Sequence, residues 1–126
     1  MSDINKNISF LGINIALATI SDTRTFNNDR SGNLLEQRLK EAGHNLADRL
    51  IVPDNKNEIV AILKNWISDP KIDVVIATGG TGVTGRDVTP EAFFEVYEKE
   101  IQGFGELFRM LSYEKIGTST IQSRAT

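Results

Sequence analysis

The 126-residue sequence contains no cysteine and only one histidine, His44. Disulfides, thiolate metal sites and histidine-rich metal sites are therefore excluded, and any bound metal is expected to be a hard cation on oxygen ligands. His44 directly follows a predicted helix end, and we interpret it as a surface residue rather than a catalytic one.

The sequence also lacks long apolar runs and any excess of positive charge. No stretch approaches the length of a membrane span, the N-terminus has no signal pattern, and the net charge is −3. We therefore expect a cytoplasmic protein that binds neither membranes nor, through counterion release, nucleic acid. The length allows one domain, which we place at residues 8–126 after a flexible tail at 1–7.

Apolar periodicity predicts alternating strands and helices, which is typical of an α/β fold with a parallel sheet. Strands are predicted at 12–20, 45–52 and 72–77, the last as a strand buried on both faces. Ser31 or Asn33 is expected to cap the first helix after a mobile polar connection at 26–32.

Further helices are predicted on both sides of the third strand. Asn55 and Glu58 have capping-box spacing at the start of a helix that ends before Pro70. After the third strand, two amphipathic helices are expected on either side of a break at 103–105. A short strand or extended segment is predicted at 117–121.

A glycine-rich segment follows the third predicted strand. Four glycines alternate with threonines across 78–85, and Thr89-Pro90-Glu91 predicts a helix start with Thr89 as its N-cap. A loop without side chains at the carboxyl end of a parallel strand lets backbone N–H groups converge on an anion. We therefore predict an anion-binding loop.

Three other interpretations of this loop are less favoured. A dinucleotide fingerprint requires a helix that opens within the glycines and a second strand with an acid about 20 residues on. A Walker A loop requires Gly-Lys-Ser/Thr, whereas this sequence has Gly85-Arg86-Asp87. A simple tight turn would need only one or two glycines.

Two acidic residues are placed to work with the loop. Asp87 follows the glycines and Asp54 follows the second strand, so both lie at strand carboxyl ends. Asp54 can be interpreted either as an acid beside a helix N-terminus or as a functional carboxylate, and the residues alone leave both open. Carboxylates with Mg²⁺ bridging phosphate oxygens suit phosphoryl or nucleotidyl transfer, and Asp87 is the candidate Mg²⁺ ligand.

The segments 78–82 and 86–91 together resemble the signature of the MoaB/MogA family of molybdenum cofactor biosynthesis proteins. Residues 103–106 and 121–125 fit further family segments, and 103–112 is more similar to the MoaB branch. The resemblance covers essentially the whole chain. It implies a three-layer sandwich with a mostly parallel sheet and helices on both faces.

The resemblance implies Mg²⁺-dependent adenylyl transfer from ATP to molybdopterin with release of pyrophosphate, in a homotrimer or homohexamer. Asp54 and Asp87 match the two catalytic aspartates. Two alternatives are a catalytically weak pterin- or nucleotide-binding or scaffold protein of the same pathway, and an unrelated phosphate-binding protein. The implied substrate-binding residues are Ser21, Asp22, Thr23, Thr78, Gly79, Gly80, Thr81, Gly82, Glu106, Ser123 and Arg124.

In this family the chain continues through another strand, a Pro-Gly-Ser or Pro-Gly-Asn loop and a closing helix. We therefore expect the domain at 8–126 to be C-terminally incomplete. An apolar sheet face is then expected to be exposed, with aggregation or dependence on neighbouring subunits as the result.

Overall fold

The computed structural model describes residues 7–126, so the predicted tail at 1–7 lies outside the described residues except for Asn7. Three strands alternate with helices along the chain. The strands are β1 (Asn14–Ile20), β2 (Asn45–Val52) and β3 (Val74–Thr78). The helices are α1 (Arg30–Glu41), α2 (Lys56–Ser68), α3 (Thr89–Val96), α4 (Gln102–Ile116) and a 3₁₀ helix (Gly117–Gln122).

The three strands form one parallel sheet in the order β2-β1-β3. Ile20 at the end of β1 is aligned with Val52, and Thr19 is aligned with Thr78. The carboxyl ends of all three strands therefore lie at one edge of the sheet. The predicted α/β fold is confirmed, and the loops that carry the candidate site residues are neighbours.

Helices cover both faces of the sheet. On one face, Trp66 and Leu63 of α2 pack in a buried cluster with Ala16 and Ala18 of β1. On the other face, Leu39 of α1 packs with alternate residues of β1. This arrangement confirms the three-layer sandwich, with β1 as the buried central strand.

Strand β3 was predicted to be buried on both faces, and this prediction is wrong. Its residues are at most half-buried, and Val74 is 38% exposed. The reason is that β3 is an edge strand in the described sheet. A groove of about 600 Å³ runs beside it, lined mainly by apolar residues of α2, β3 and α3. The exposed apolar sheet face expected from an incomplete domain stays a prediction.

The helix ends confirm some local predictions and correct others. Asn55 caps α2 by accepting a hydrogen bond from the Glu58 N–H at 3.2 Å, as predicted, and α2 ends at Ser68. Helix α1, however, is capped by Asp29, whose carboxylate accepts from the Gly32 N–H, instead of by Ser31 or Asn33.

Thr89 is the first residue of α3 instead of its N-cap. Its hydroxyl donates to the Gly79 carbonyl at 2.8 Å, so a tertiary acceptor has replaced the local capping interaction.

The C-terminal third differs from the prediction in two ways. The break between α3 and α4 falls at 97–101, while Gly103 and Gly105 lie in the first turn of α4. A Cβ at Gly105 would lie 2.5 Å from the Ala125 carbonyl oxygen, so this glycine allows a close chain crossing. Residues 117–122 form a 3₁₀ helix instead of the predicted strand, and they pack against α4.

Helix α4 has an exposed apolar face in the described part of the chain. The apolar side chains that give this helix its amphipathic pattern in the sequence are about half exposed. The exposed side chains on this face of α4 are Phe104, Leu107, Phe108 and Leu111.

Within residues 7–126, no helix is long and apolar enough to cross a bilayer.

A buried carboxylate joins three elements near the end of β1. Asp29 is 1% exposed and accepts hydrogen bonds from the Thr19 hydroxyl at 2.7 Å and from the Arg49 guanidinium at 3.0 Å. Arg49 also contacts Glu36 of α1 at 3.3 Å and the Phe26 ring at 5.4 Å. The predicted mobile connection at 26–32 therefore contains a fixed, buried anchor.

The substitution Asp29→Asn tests the charge of this anchor. Burial raises the pKa of Asp29, but hydrogen bonds from Thr19, Gly32 and Arg49 outweigh it and lower the pKa overall. A lowered folded-state pKa gives stability that is present above the unfolded value of about 3.9 and is lost as pH falls through the folded value. Asparagine can still cap the helix, so the variant loses the negative charge but not the cap. We therefore expect the free energy of unfolding to fall by about 2 kcal/mol at pH 7.

Urea denaturation at pH 7 and at low pH measures this effect, and the difference between variant and parent should shrink in acid. Glu36→Gln is the matched control, since Glu36 is more exposed than Asp29 and its loss should cost less. An equal cost for Asp29→Asn at both pH values would contradict the assignment.

Candidate functional site

The first half of the glycine loop is pressed against the end of β1. Gly79 has φ +95° and Gly80 has φ +65°, conformations that L side chains rarely adopt. A Cβ at Gly79 would lie 2.3 Å from the Ile20 carbonyl oxygen. One at Gly80 would lie 2.4 Å from the Thr89 hydroxyl and 3.0 Å from Asp54 Oδ1. These two positions therefore require glycine, and they bring the loop beside Asp54.

The second half of the loop wraps around the Asp87 carboxylate. Asp87 Oδ2 accepts hydrogen bonds from the Thr84 hydroxyl at 2.7 Å and from the Thr84 N–H at 2.9 Å. These bonds, with one from the Gly82 N–H, lower the pKa of Asp87. In this structure the Thr84 amide holds the protein's own carboxylate, and binding of an external anion by the loop stays a prediction.

Asp54 faces the same loop and is electrostatically coupled to Asp87. The pKa of Asp54 is raised, first by burial and then by the negative charge of Asp87. Asn55 fills the N-cap position of α2, so Asp54 is free of that structural role. The two aspartates come from different strand ends, yet both lie beside the glycine loop, Asp54 at Gly80 and Asp87 at Gly82; their catalytic role stays a prediction.

Asp22 connects all three loops at this edge of the sheet. Its Oδ1 accepts the Asp54 N–H at 2.9 Å, and its Oδ2 forms an ion pair with Arg86. Ser21 Oγ accepts from the Thr23 N–H at 3.2 Å, which shapes the turn after β1. Of the predicted substrate-binding residues Ser21, Asp22 and Thr23, Asp22 is thus the one that contacts Asp54.

A pocket of about 160 Å³ opens between the end of β1 and the start of α1. It is lined by Ser21, Thr78 and Gly79 from the predicted set, together with Arg24 and Arg30. The guanidinium groups of Arg24 and Arg30 are the cationic side chains that line it. The pocket therefore combines hydroxyl, backbone and cationic groups next to the glycine loop.

Arg124 crosses from the C-terminal segment to the glycine loop. Its Nε donates to the Gly82 carbonyl at 2.8 Å, and its backbone N–H donates to the Thr81 carbonyl at 3.2 Å. Ser123 is the C-cap of the 3₁₀ helix, where its N–H donates to the Thr120 carbonyl. The C-terminal segment, which carries the predicted substrate-binding residues Ser123 and Arg124, is therefore attached to the glycine loop through Arg124.

Glu106 lies on α4 and is not in contact with the aspartates in the described structure. It is exposed and lines a separate pocket of about 320 Å³ that also includes Arg109 and Arg124. Nothing in its surroundings tests the predicted contribution to substrate binding, which stays a prediction.

Three residues that shape the site were not predicted from the sequence. Thr84 binds the Asp87 carboxylate, Arg86 pairs with Asp22, and Thr89 bonds to the Gly79 carbonyl. The spacing of Thr84 and Asp87, three residues apart, is a local signal that could have indicated the first contact. The other two depend on the tertiary fold.

Comparison with known sequences identifies relatives over nearly the whole chain. A family model described as a probable molybdopterin binding domain matches residues 16–126. Molybdenum cofactor biosynthesis protein B of Escherichia coli strain K12 is 47% identical over 116 residues, which cover 92% of this chain and 68% of the relative. The protein of the same name from Bacillus cereus is 52% identical over 110 residues, covering 86% and 65%. The chain thus spans about two thirds of these relatives.

Comparison with solved structures identifies proteins of the same family. A crystal structure of molybdenum cofactor biosynthesis protein B has a TM-score of 0.87 at 48% identity, covering 91% of this chain and 72% of the other. The tungsten cofactor synthesizing protein MoaB from Pyrococcus furiosus has a TM-score of 0.80 at 36% identity, covering 92% and 72%. A MogA structure with a TM-score of 0.78 at 24% identity shares the fold. The chain therefore belongs to the MoaB/MogA family of molybdopterin-binding domains.

Proposed function

We propose that this chain acts in molybdenum cofactor biosynthesis as a Mg²⁺-dependent molybdopterin adenylyltransferase. In this reaction the phosphate of molybdopterin attacks the α-phosphorus of ATP, and the β- and γ-phosphates leave together as pyrophosphate. The pathway is supported by the names of the relatives at 47% and 52% identity. The chemistry is supported above all by Asp54 and Asp87, two coupled carboxylates that flank a glycine loop.

The carboxylate pair fits a magnesium ion. Asp87 raises the pKa of Asp54, after burial, because two negative charges lie close together, and a divalent cation would relieve that repulsion. Within the described residues no group of three or more acidic, histidine or cysteine side chains could hold a metal. Mg²⁺ does not require such a group, because it commonly takes one or two carboxylates and completes its shell with water and substrate phosphates. When bound, the ion would neutralise phosphate charge.

The remaining predicted residues divide between the two substrates in this proposal. The amides at Thr78–Gly82 would bind phosphate oxygens at the end of β3. Ser21, Asp22 and Thr23 would contact the pterin beside the 160 Å³ pocket. Phosphoryl-type transfers depend mainly on such positioning and on charge stabilisation.

A second candidate is a binding or scaffold protein of the same pathway without turnover. It is favoured by one observation: the Asp87 carboxylate already accepts the Thr84 and Gly82 hydrogen bonds. A carboxylate engaged in this way can serve to hold the loop instead of acting on a substrate.

The proposal includes assembly as a homotrimer or homohexamer. It is supported by the exposed apolar face of α4, where Phe104 is 56% and Phe108 is 46% exposed. Sedimentation velocity would test it, and a purely monomeric chain at micromolar concentration would speak against it.

The substitution Asp54→Asn tests the proposed enzyme. We expect pyrophosphate release from ATP, Mg²⁺ and molybdopterin to fall by about a hundredfold, as for loss of one charged group at a transfer site. The fold should not suffer. The raised pKa means that ionised Asp54 destabilises the protein at neutral pH, and that this penalty shrinks once pH falls below the folded-state value and is gone below the unfolded value of about 3.9. Unfolding free energy at pH 7 should therefore be equal or higher in the variant.

Glu114→Gln is the matched control, because Glu114 is an exposed acid on α4 away from the loop. It should leave pyrophosphate release unchanged. Full turnover in Asp54→Asn would remove Asp54 from the mechanism. Binding of ATP by the parent protein without any release of pyrophosphate would favour the second candidate.

A further inference from the structure

The Arg124 guanidinium is surrounded by acceptors from the glycine loop and α3. Its Nε donates to the carbonyl oxygens of Gly82 at 2.8 Å and Thr81 at 3.3 Å, and its Nη2 donates to that of Asp87 at 2.9 Å. Its Nη1 contacts both carboxylate oxygens of Glu91, at 2.8 and 2.9 Å. The nitrogens of this partly exposed side chain are therefore all engaged by acceptors of the protein itself.

The acceptors lie 33 to 43 residues before Arg124 in the sequence. Few other hydrogen bonds hold the glycine loop in its conformation. Its own backbone bonds run from the Asp87 N–H to the Thr84 carbonyl and from the Thr89 N–H to the Gly80 carbonyl. The carbonyls of Thr81 and Gly82 are bound by Arg124 instead. The planar guanidinium, with five fixed donors, suits this task better than an ammonium group would.

The direction of the carbonyls fixes the direction of the amides. In a planar trans peptide the C=O of one residue and the N–H of the next point in opposite directions. Because the carbonyls of Thr81 and Gly82 point to Arg124, the N–H groups of Gly82 and Val83 point away from it. The Asp87 carboxylate, which accepts the Thr84 N–H, lies beside Gly82, where an added Cβ would be 2.7 Å from its Oδ2. Arg124 thus holds the loop from the side opposite its anion-binding surface.

We propose that Arg124 is a positioning residue that orients the amides of the glycine loop and the Asp87 carboxylate for catalysis, without contacting the substrate. The inference deepens the proposed function and rests on it for the kinetic effect. It replaces the direct substrate contact that the family resemblance implies for Arg124 with an indirect role. Glu91 orients the guanidinium through its two short contacts.

The test compares Arg124→Ala and Arg124→Lys with the parent chain by amide hydrogen exchange. The N–H groups of Thr84 and Asp87 are hydrogen-bonded within the loop, and Gly82 lies beside the Asp87 carboxylate. All three amides should exchange at least tenfold faster in Arg124→Ala, while those of β3 are unchanged. The pKa of Asp87, followed by carboxyl NMR, should rise as the positive charge is lost. Lysine should restore only part of the protection.

In the transfer assay, kcat/KM should fall about tenfold to a hundredfold in Arg124→Ala, and added guanidinium should recover part of it. Arg38→Ala is the matched control, since Arg38 is an exposed arginine in the last turn of α1. If Arg124→Ala fails to fold, Glu91→Gln should loosen the same three amides to a smaller degree.

Two results would overturn the inference. One is unchanged exchange at Gly82, Thr84 and Asp87 in folded Arg124→Ala. The other is faster exchange with unchanged kcat/KM. A parent protein that releases no pyrophosphate would refute the proposed function instead, and the exchange and titration data would still decide whether Arg124 holds the loop.

Discussion

Gly79→Ala is expected to lower the free energy of unfolding by about 2–5 kcal/mol, the combined cost of a left-handed backbone and a steric overlap. The added Cβ would lie 2.3 Å from the Ile20 carbonyl oxygen at φ +95°. Ile20 is 3% exposed at the end of the central strand, so its backbone cannot move away from the added methyl group. Urea denaturation measures the loss, and transfer activity should fall with it because the loop must move.

Gly85→Ala is the matched control within the same loop. Gly85 has no positive φ, and a Cβ there would meet no atom within 4 Å. Stability should be unchanged or slightly higher, because alanine restricts the unfolded chain. If both variants were as stable as the parent, the tight contact between Gly79 and Ile20 would be disproved.

Trp66→Ala is expected to destabilise the protein by about 3–5 kcal/mol, the usual cost of deleting a large buried aromatic side chain. Trp66 is 2% exposed in the cluster between α2 and the sheet. Its Nε1–H also donates to Asp48 Oδ2 at 3.0 Å. Chemical denaturation measures the total, and Trp66→Phe isolates the hydrogen bond and part of the volume at about 1–2 kcal/mol.

Ile67→Ala is the control for Trp66→Ala. Ile67 is the next residue of α2 and is 62% exposed, so its truncation should cost less than about 1 kcal/mol. Equal losses for the two substitutions would mean that the Trp66 side chain is not part of the core.

Local sequence signals predicted the fold well where structure depends on neighbouring residues. Asn55 and Glu58 define the start of α2, and Pro70 forces its end, because capping and proline geometry act over a few positions. The glycine loop was located in the same way, from an apolar run followed by glycines. Asp54 and Asp87 were associated because parallel strands end at one edge.

Long-range partners could not be predicted in this way. Asp29 was interpreted as part of a mobile connection, yet Arg49, 20 residues on, neutralises it in the interior. The guanidinium of Arg124 finds its carbonyl partners 42 and 43 residues earlier. Gly105 was interpreted as a helix breaker, although the approach of Ala125 explains it. In each case tertiary packing determines which residue is the partner, and such a contact produces no periodic pattern in the sequence.

The bridging position of Asp22 bears on how the molecule is made. It joins Asp54, 32 residues later in the sequence, to Arg86, which lies later still. Contacts of such separation form slowly, because large stretches of chain must be closed before any contact rewards them. A nascent polypeptide on the ribosome therefore cannot form the Asp22 bridge until Arg86 has emerged. Any molecule that binds only the folded state at this edge would stabilise only chains in which the sheet is complete.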